Sequence, residues 1–160
     1  LVHVTLWQKG MVITMTFTII SVGRLKEAYF ADAAAEYVKR IGGFSQCKKL
    51  TLIDVKESKN DGEITERIPP SSYVFALCIE GKQLTSRDFS AKLEQAFTSE
   101  KKGICFIIGG SEGLSEGVKS IADMRLSMSE MTFPHRLAKI MLLEQLYRAL
   151  SIQNNRSYHK

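Results

Sequence analysis

The chain has 160 residues, a net charge of +5, 44% hydrophobic residues and 24% charged residues. That length suits one domain with its own core, and the composition excludes a disordered or fibrous chain. Its apolar runs fall short of the ~20 residues a membrane helix needs, and the positive charge fits a polyanionic partner without requiring one. Cys47, Cys78 and Cys105 are odd in number, far apart and outside any CxxC spacing, which points to a reducing compartment and offers no metal site.

Residues 1–14 lack the charged start, apolar centre and small-residue cleavage site of a secretory signal. They read as an upstream extension carrying His3, with a single domain starting near Met15 and running to Lys160. Phe17-Thr18-Ile19-Ile20-Ser21-Val22 then predicts a strand over 16–22, ended by a turn at Gly23. A helix around 28–41 stops at Gly42-Gly43. A strand at 49–55 follows, and then a polar segment from Lys56 to Glu66 with no expected helix.

Pro69-Pro70-Ser71-Ser72 leads into a strand at 73–79, which should stop at Glu80-Gly81-Lys82. Thr85 to Asp88 caps a helix of about 86–99. A strand at 104–108 ends at Gly109-Gly110-Ser111-Glu112-Gly113, and Ser115 caps a short helix reaching Ala122. A brief strand at 125–128 leads through Ser129-Glu130-Met131-Thr132 to Phe133-Pro134-His135. Pro134 suits the first turn of a long apolar helix over 137–152. Strands alternating with helices make an α/β fold with a parallel sheet covered on both faces.

In such a sheet, ligands bind beyond the carboxyl ends of the strands. Three of those ends carry unusual loops: Leu77 to Lys82, Gly109 to Gly113, and Met128 to Phe133. The glycine loop is neither a Walker loop nor a GxGxxG, which disfavours a dinucleotide or a nucleoside triphosphate. Close backbone approach at three loops fits a flat heterocycle read by main chain.

Several motifs, in order and at matching spacing, resemble the RlmH-type methyltransferases of the SPOUT superfamily. They are Ile19 to Lys26, Ala76 to Lys82, Phe106 to Ser115, Leu126 to His135, Leu143 to Ala149 and Tyr158-His159-Lys160. The resemblance covers 15–160. It implies a C-terminal trefoil knot, S-adenosylmethionine as cofactor, a homodimer, a cytoplasmic location, and methylation of N3 of a pseudouridine in 23S rRNA within the ribosome. It places cofactor contacts at Leu77, Gly109, Met128, Ser129, Glu130, Met131, Thr132 and Phe133.

On the last helix, Ala138, Leu142, Leu143, Leu146, Ala149 and Leu150 share an apolar arc broken chiefly by Lys139. The opposite side is mixed and could meet a second subunit. Glu144 and Arg148, spaced i,i+4, are either a structural ion pair or a means of orienting RNA or cofactor. Attack by N3 requires loss of its proton, and a histidine is a natural base. His159 with Tyr158 on the tail is one candidate. His135 is another, or else a structural contact at the helix start, and water is the alternative acceptor.

Two departures stand out. The stretch between 56 and 72 is shorter than the family pattern, and Asn154 to Ser157 replaces the usual approach to the terminal Tyr-His. The competing expectation is a non-catalytic, ribosome-associated RNA-binding protein that kept the fold.

Overall fold

The computed structural model describes residues 13–160. His3 and most of the expected extension lie outside the described residues. The element order is β1 (Met15–Val22), α1 (Ala28–Gly42), β2 (Cys47–Val55), α2 (Gly62–Thr65), β3 (Ser72–Gln83), α3 (Ser86–Thr98), β4 (Gly103–Ile108), α4 (Glu116–Ser120), β5 (Met124–Ser127) and α5 (His135–Gln153). The five strands form one sheet in the order β2-β1-β4-β3-β5, and every pairing is parallel.

Alternation along the strands sends residues to opposite faces, so the sheet has two cores. On one face Phe17, Ile19, Phe75 and Phe106 pack under α1, α3 and α5. Phe75 and Phe106 stack with ring centroids 4.9 Å apart. On the other face Ile20, Val74, Ala76, Cys105 and Ile107 meet Ile64 of α2 and Val118 of α4. Burial of Leu142, Leu143, Leu146 and Leu150, each fully enclosed, anchors α5 at about 2 kcal/mol per side chain.

Four features differ from the sequence expectations. The segment after β2 does carry a helix, the single turn α2. Asn60 Oδ1 accepts from Gly62 N at 2.9 Å to start it, and buried Ile64 pins it to the sheet. Pro134 sits one residue before α5 rather than in its first turn. Lys139, read as a break in the apolar arc, is itself buried with only 3% of its side chain exposed, and its Nζ donates to Asp54 Oδ1 at 2.8 Å. β3 does not stop at Glu80 but bulges at 78–81 and resumes. Leu126 thereby pairs with both Leu77 and Lys82. A Cβ on Gly81 would lie 2.7 Å from the Leu126 carbonyl carbon, so only glycine fits there.

The local caps behave as the sequence indicates. Thr85 Oγ1 accepts from Asp88 N at 3.0 Å, and Ser115 Oγ accepts from Val118 N at 3.1 Å.

Candidate active site

The carboxyl ends of β3, β4 and β5 face one cavity of about 760 Å³. The β4 end contributes Gly109 to Gly113, closed by a hydrogen bond from Gly113 N to Gly110 O at 3.1 Å. Gly113 has φ +73°, a conformation that favours glycine. Gly109 packs so closely on it that a Cβ would sit 2.5 Å from the Gly113 carbonyl carbon. The β5 end is shaped by two local hydrogen bonds: Ser127 Oγ donates to Ser129 O at 3.0 Å, and Met131 N donates to Ser129 Oγ at 3.0 Å.

Leu77, Gly109, Met128, Ser129, Met131, Thr132 and Phe133 all line this cavity, so seven of the eight expected cofactor contacts converge. Glu130 does not line it and faces solvent. Met131 is 72% exposed at the mouth, an unusual position for so large an apolar side chain.

Lys119 supplies a cation to the wall, an assignment absent from the sequence reading. Its Nζ contacts Glu80 and lies 3.4 Å from Glu116. Those contacts raise the Lys119 pKa, and the Lys119 ammonium holds Glu80 below the usual carboxylate range. Cys78 also lines the cavity, with burial pushing its thiol up. A thiol so placed is a wall rather than a nucleophile.

His135 lines the same cavity from the start of α5. Its Nε2 is buried without a hydrogen-bond partner among the described residues, and a Cβ on Gly23 would come within 2.9 Å of it. The neighbouring Arg136 Nη1 bonds Glu27 Oε1 at 2.5 Å and ties α5 to the residue preceding α1.

Arg148, Tyr158 and His159 gather elsewhere, around Glu144. Glu144 Oε1 accepts from Arg148 Nη2 at 2.5 Å, Arg148 Nε at 3.0 Å and Tyr158 Oη at 3.0 Å. Arg148 Nη1 lies 3.2 Å from His159 Nδ1. A guanidinium only donates, so Nδ1 accepts and the ring proton of a neutral His159 resides on Nε2. The Arg148 guanidinium also covers the Tyr158 ring at 4.7 Å. Burial, reinforced by Glu144, pushes the Tyr158 phenol up to about 12, so at neutral pH it donates and does not ionise. Thirteen residues of α5 separate His135 from Arg148, a rise of about 20 Å. Within one chain the tail cluster does not line the β-strand-end cavity.

A family model described as "Predicted SPOUT methyltransferase" matches residues 15–159. The chain belongs to the SPOUT methyltransferase family. Its relatives include proteins named "Ribosomal RNA large subunit methyltransferase H" from an Exiguobacterium strain and from Ureaplasma parvum. Each is 42% identical over 159 residues, covering 91% of this chain and 100% of the relative. Among solved structures, a "probable methyltransferase" from Bordetella pertussis superposes with a TM-score of 0.57 at 13% identity. It covers 86% of this chain and 95% of that one. At that identity the likeness speaks for the fold alone. Among the described residues there is no cluster of histidine, cysteine and carboxylate side chains able to hold a metal, and no helix long and apolar enough to cross a membrane.

Proposed function

We propose that this SPOUT protein is an S-adenosylmethionine-dependent methyltransferase of the large ribosomal RNA, acting on N3 of a pseudouridine. The observation that carries the reading is the convergence of three glycine-rich or polar strand-end loops on one cavity of about 760 Å³. The names of relatives 42% identical over their full length support the substrate class.

The residues fit the cofactor. The close packing of Gly109 on Gly113 leaves bare backbone where side chains would occupy the floor, and Leu77 offers an apolar wall. The loop from Met128 to Phe133 presents main-chain groups to a heterocycle. S-adenosylmethionine, when bound, supplies a sulfonium methyl group open to attack by a nitrogen lone pair. The rest is the work of the chain: excluding water, orienting the acceptor and managing its proton.

As N3 attacks, its proton leaves to His135, to water, or to His159 once its Nδ1 lone pair is released from Arg148, and negative charge on the imide is relieved. Arg148 brings a permanent positive charge to that task, and Tyr158 brings a hydrogen-bond donor. A homodimer belongs to this reading: the mixed face of α5 meets a second subunit, and the tail cluster around Glu144 borders the site from beyond the larger cavity. Met131, exposed at the mouth, and the exposed Leu137 of α5 suit such an interface. A C-terminal trefoil knot, as the family resemblance implies, belongs to the same reading. A ribosomal RNA substrate supports a cytoplasmic location.

Two measurements test this. Titration calorimetry with S-adenosylmethionine should give one site per chain. Mass spectrometry of 23S rRNA should show the N3-methyl mark appear when the protein is added to ribosomes lacking it. Cofactor binding without methylation of any ribosomal RNA would favour a different substrate. Absence of cofactor binding would leave a non-catalytic RNA-binding protein.

A further inference from the structure

A second cavity, of about 370 Å³, abuts the first between the start of α3, the end of β5 and the middle of α5. The two share Met128 as a wall. On α5 they are also neighbours: Ala138 lines the first, Met141 the second, and three residues of helix rise only about 4.5 Å. A group held in the second cavity is therefore within reach of a reactive group held in the first.

Its lining divides by chemistry. Phe89, Met128 and Met141 give flat or pliable apolar surface suited to a ring. Ser86, Glu144 and Gln145 give a polar edge. That edge is already ordered: Ser86 Oγ donates to Gln145 Oε1 at 2.7 Å, and Gln145 Nε2 donates to Glu144 Oε2 at 2.9 Å. Glu144 in turn holds Tyr158 and Arg148, so the cavity wall and the tail are one hydrogen-bonded unit. An amide has two N–H groups and two oxygen lone pairs. With one of each engaged, Gln145 retains one N–H and one lone pair in a fixed plane.

We propose that this cavity receives the acceptor base and that Gln145, oriented by Ser86, distinguishes pseudouridine from uridine. The inference rests on the methyltransferase reading above. In pseudouridine the sugar is joined through carbon, so N1 carries a hydrogen beside the C2 carbonyl. The free lone pair of Gln145 accepts from N1–H, and its free N–H donates to O2. N3, on the other side of C2, is then left for methyl transfer. In uridine N1 bears the sugar and has no hydrogen, so one bond of the pair is lost and Gln145 Oε1 faces no donor.

The test compares two substrates: ribosomes carrying pseudouridine at the target position and ribosomes carrying uridine there, from a strain unable to isomerise it. Wild-type enzyme should prefer pseudouridine. Gln145→Ala should lower the rate on pseudouridine ribosomes by about tenfold to a hundredfold, the scale of a lost bidentate base contact, and lower the rate on uridine ribosomes by a clearly smaller factor, because one of the two bonds is already missing there. Ser86→Ala, which only frees the amide to rotate, should erode the same preference by a smaller factor. It carries the test if Gln145→Ala does not fold. Cofactor affinity by calorimetry should be unchanged in both. An unchanged preference, or equal loss on both substrates, would overturn the assignment and leave the cavity structural. Failure of wild-type protein to bind cofactor or methylate either ribosome would instead sink the methyltransferase reading itself.

Discussion

Replacing Gly109 by alanine puts a methyl group where the backbone of Gly113 already lies. The new Cβ would be 2.5 Å from the Gly113 carbonyl carbon, 2.7 Å from its oxygen and 2.9 Å from its Cα. Carbon atoms in contact prefer about 3.5–4 Å, so the loop must move by roughly 1 Å. No side chain can rotate away, because all three neighbours are backbone. Overpacking of this kind costs about 1–3 kcal/mol, or a fall in Tm of about 2–12 °C for a chain of this size. The displaced loop is the floor of the larger cavity, so affinity for S-adenosylmethionine should drop at least about tenfold, equivalent to ~1.4 kcal/mol. Calorimetry and thermal melts read the two effects separately. Gly110→Ala is the matched control: its Cβ would meet Val22 Cγ1 at 2.9 Å and Glu57 Oε1 at 3.1 Å, side-chain atoms that can yield. Gly42→Ala, with nothing within 4 Å at the last residue of α1, should be stabilising by about 0.5–1 kcal/mol. A Gly109→Ala protein with wild-type Tm and a Kd within twofold would refute the reasoning.

Three further outcomes are expected. Asp54→Ala strands the buried Lys139 ammonium and should cost about 3 kcal/mol in urea unfolding, whereas Lys139→Met removes the charge and should cost clearly less; the reverse order would show that the pair itself stabilises. Tyr158 is held protonated in the folded state, its phenol raised from near 10 to about 12, so its contribution is full below about pH 10 and fades between pH 10 and 12. The stability difference between wild type and Tyr158→Phe should therefore be flat below pH 10 and shrink above it; a difference that grows there contradicts the hydrogen bond to Glu144. Burial pushes the fully enclosed Cys105 thiol up to about 12, so thiol labelling of native protein at pH 8 should proceed at Cys47 and Cys78 and spare Cys105 until unfolding.

Features governed by near neighbours in the chain were legible in the sequence. Thr85 and Ser115 announce their helices because a cap acts three residues away, and the glycines after β4 announce a close backbone approach. Features governed by distant pairing were not. The partner of Lys139 lies 85 residues earlier and that of Ser86 lies 59 residues later, so neither leaves a local pattern. β3 looked complete at Glu80 because Gly81 normally ends a strand; it continues because Leu126, far along the chain, pairs with it twice. Tyr158 stands out through the family resemblance and Arg148 through its i,i+4 spacing from Glu144, but that Glu144 joins the two is written nowhere in the local pattern. The one-turn helix α2 depends on an Asn60 side chain and on a sheet face that the sequence does not display.

The position of α5 bears on how the protein is made. α5 packs on both α1 and α3, and its first turn closes the larger cavity. Roughly 90 residues separate the end of α1 from the start of α5. At synthesis rates of about 5–20 residues per second, the apolar face of α1 waits some 5–20 s for its cover. A nascent chain therefore shows sticky surface long before it shows a cofactor site, and methyl-donor binding arrives only with the last helix. Incomplete chains are thus exposed to aggregation while remaining catalytically silent.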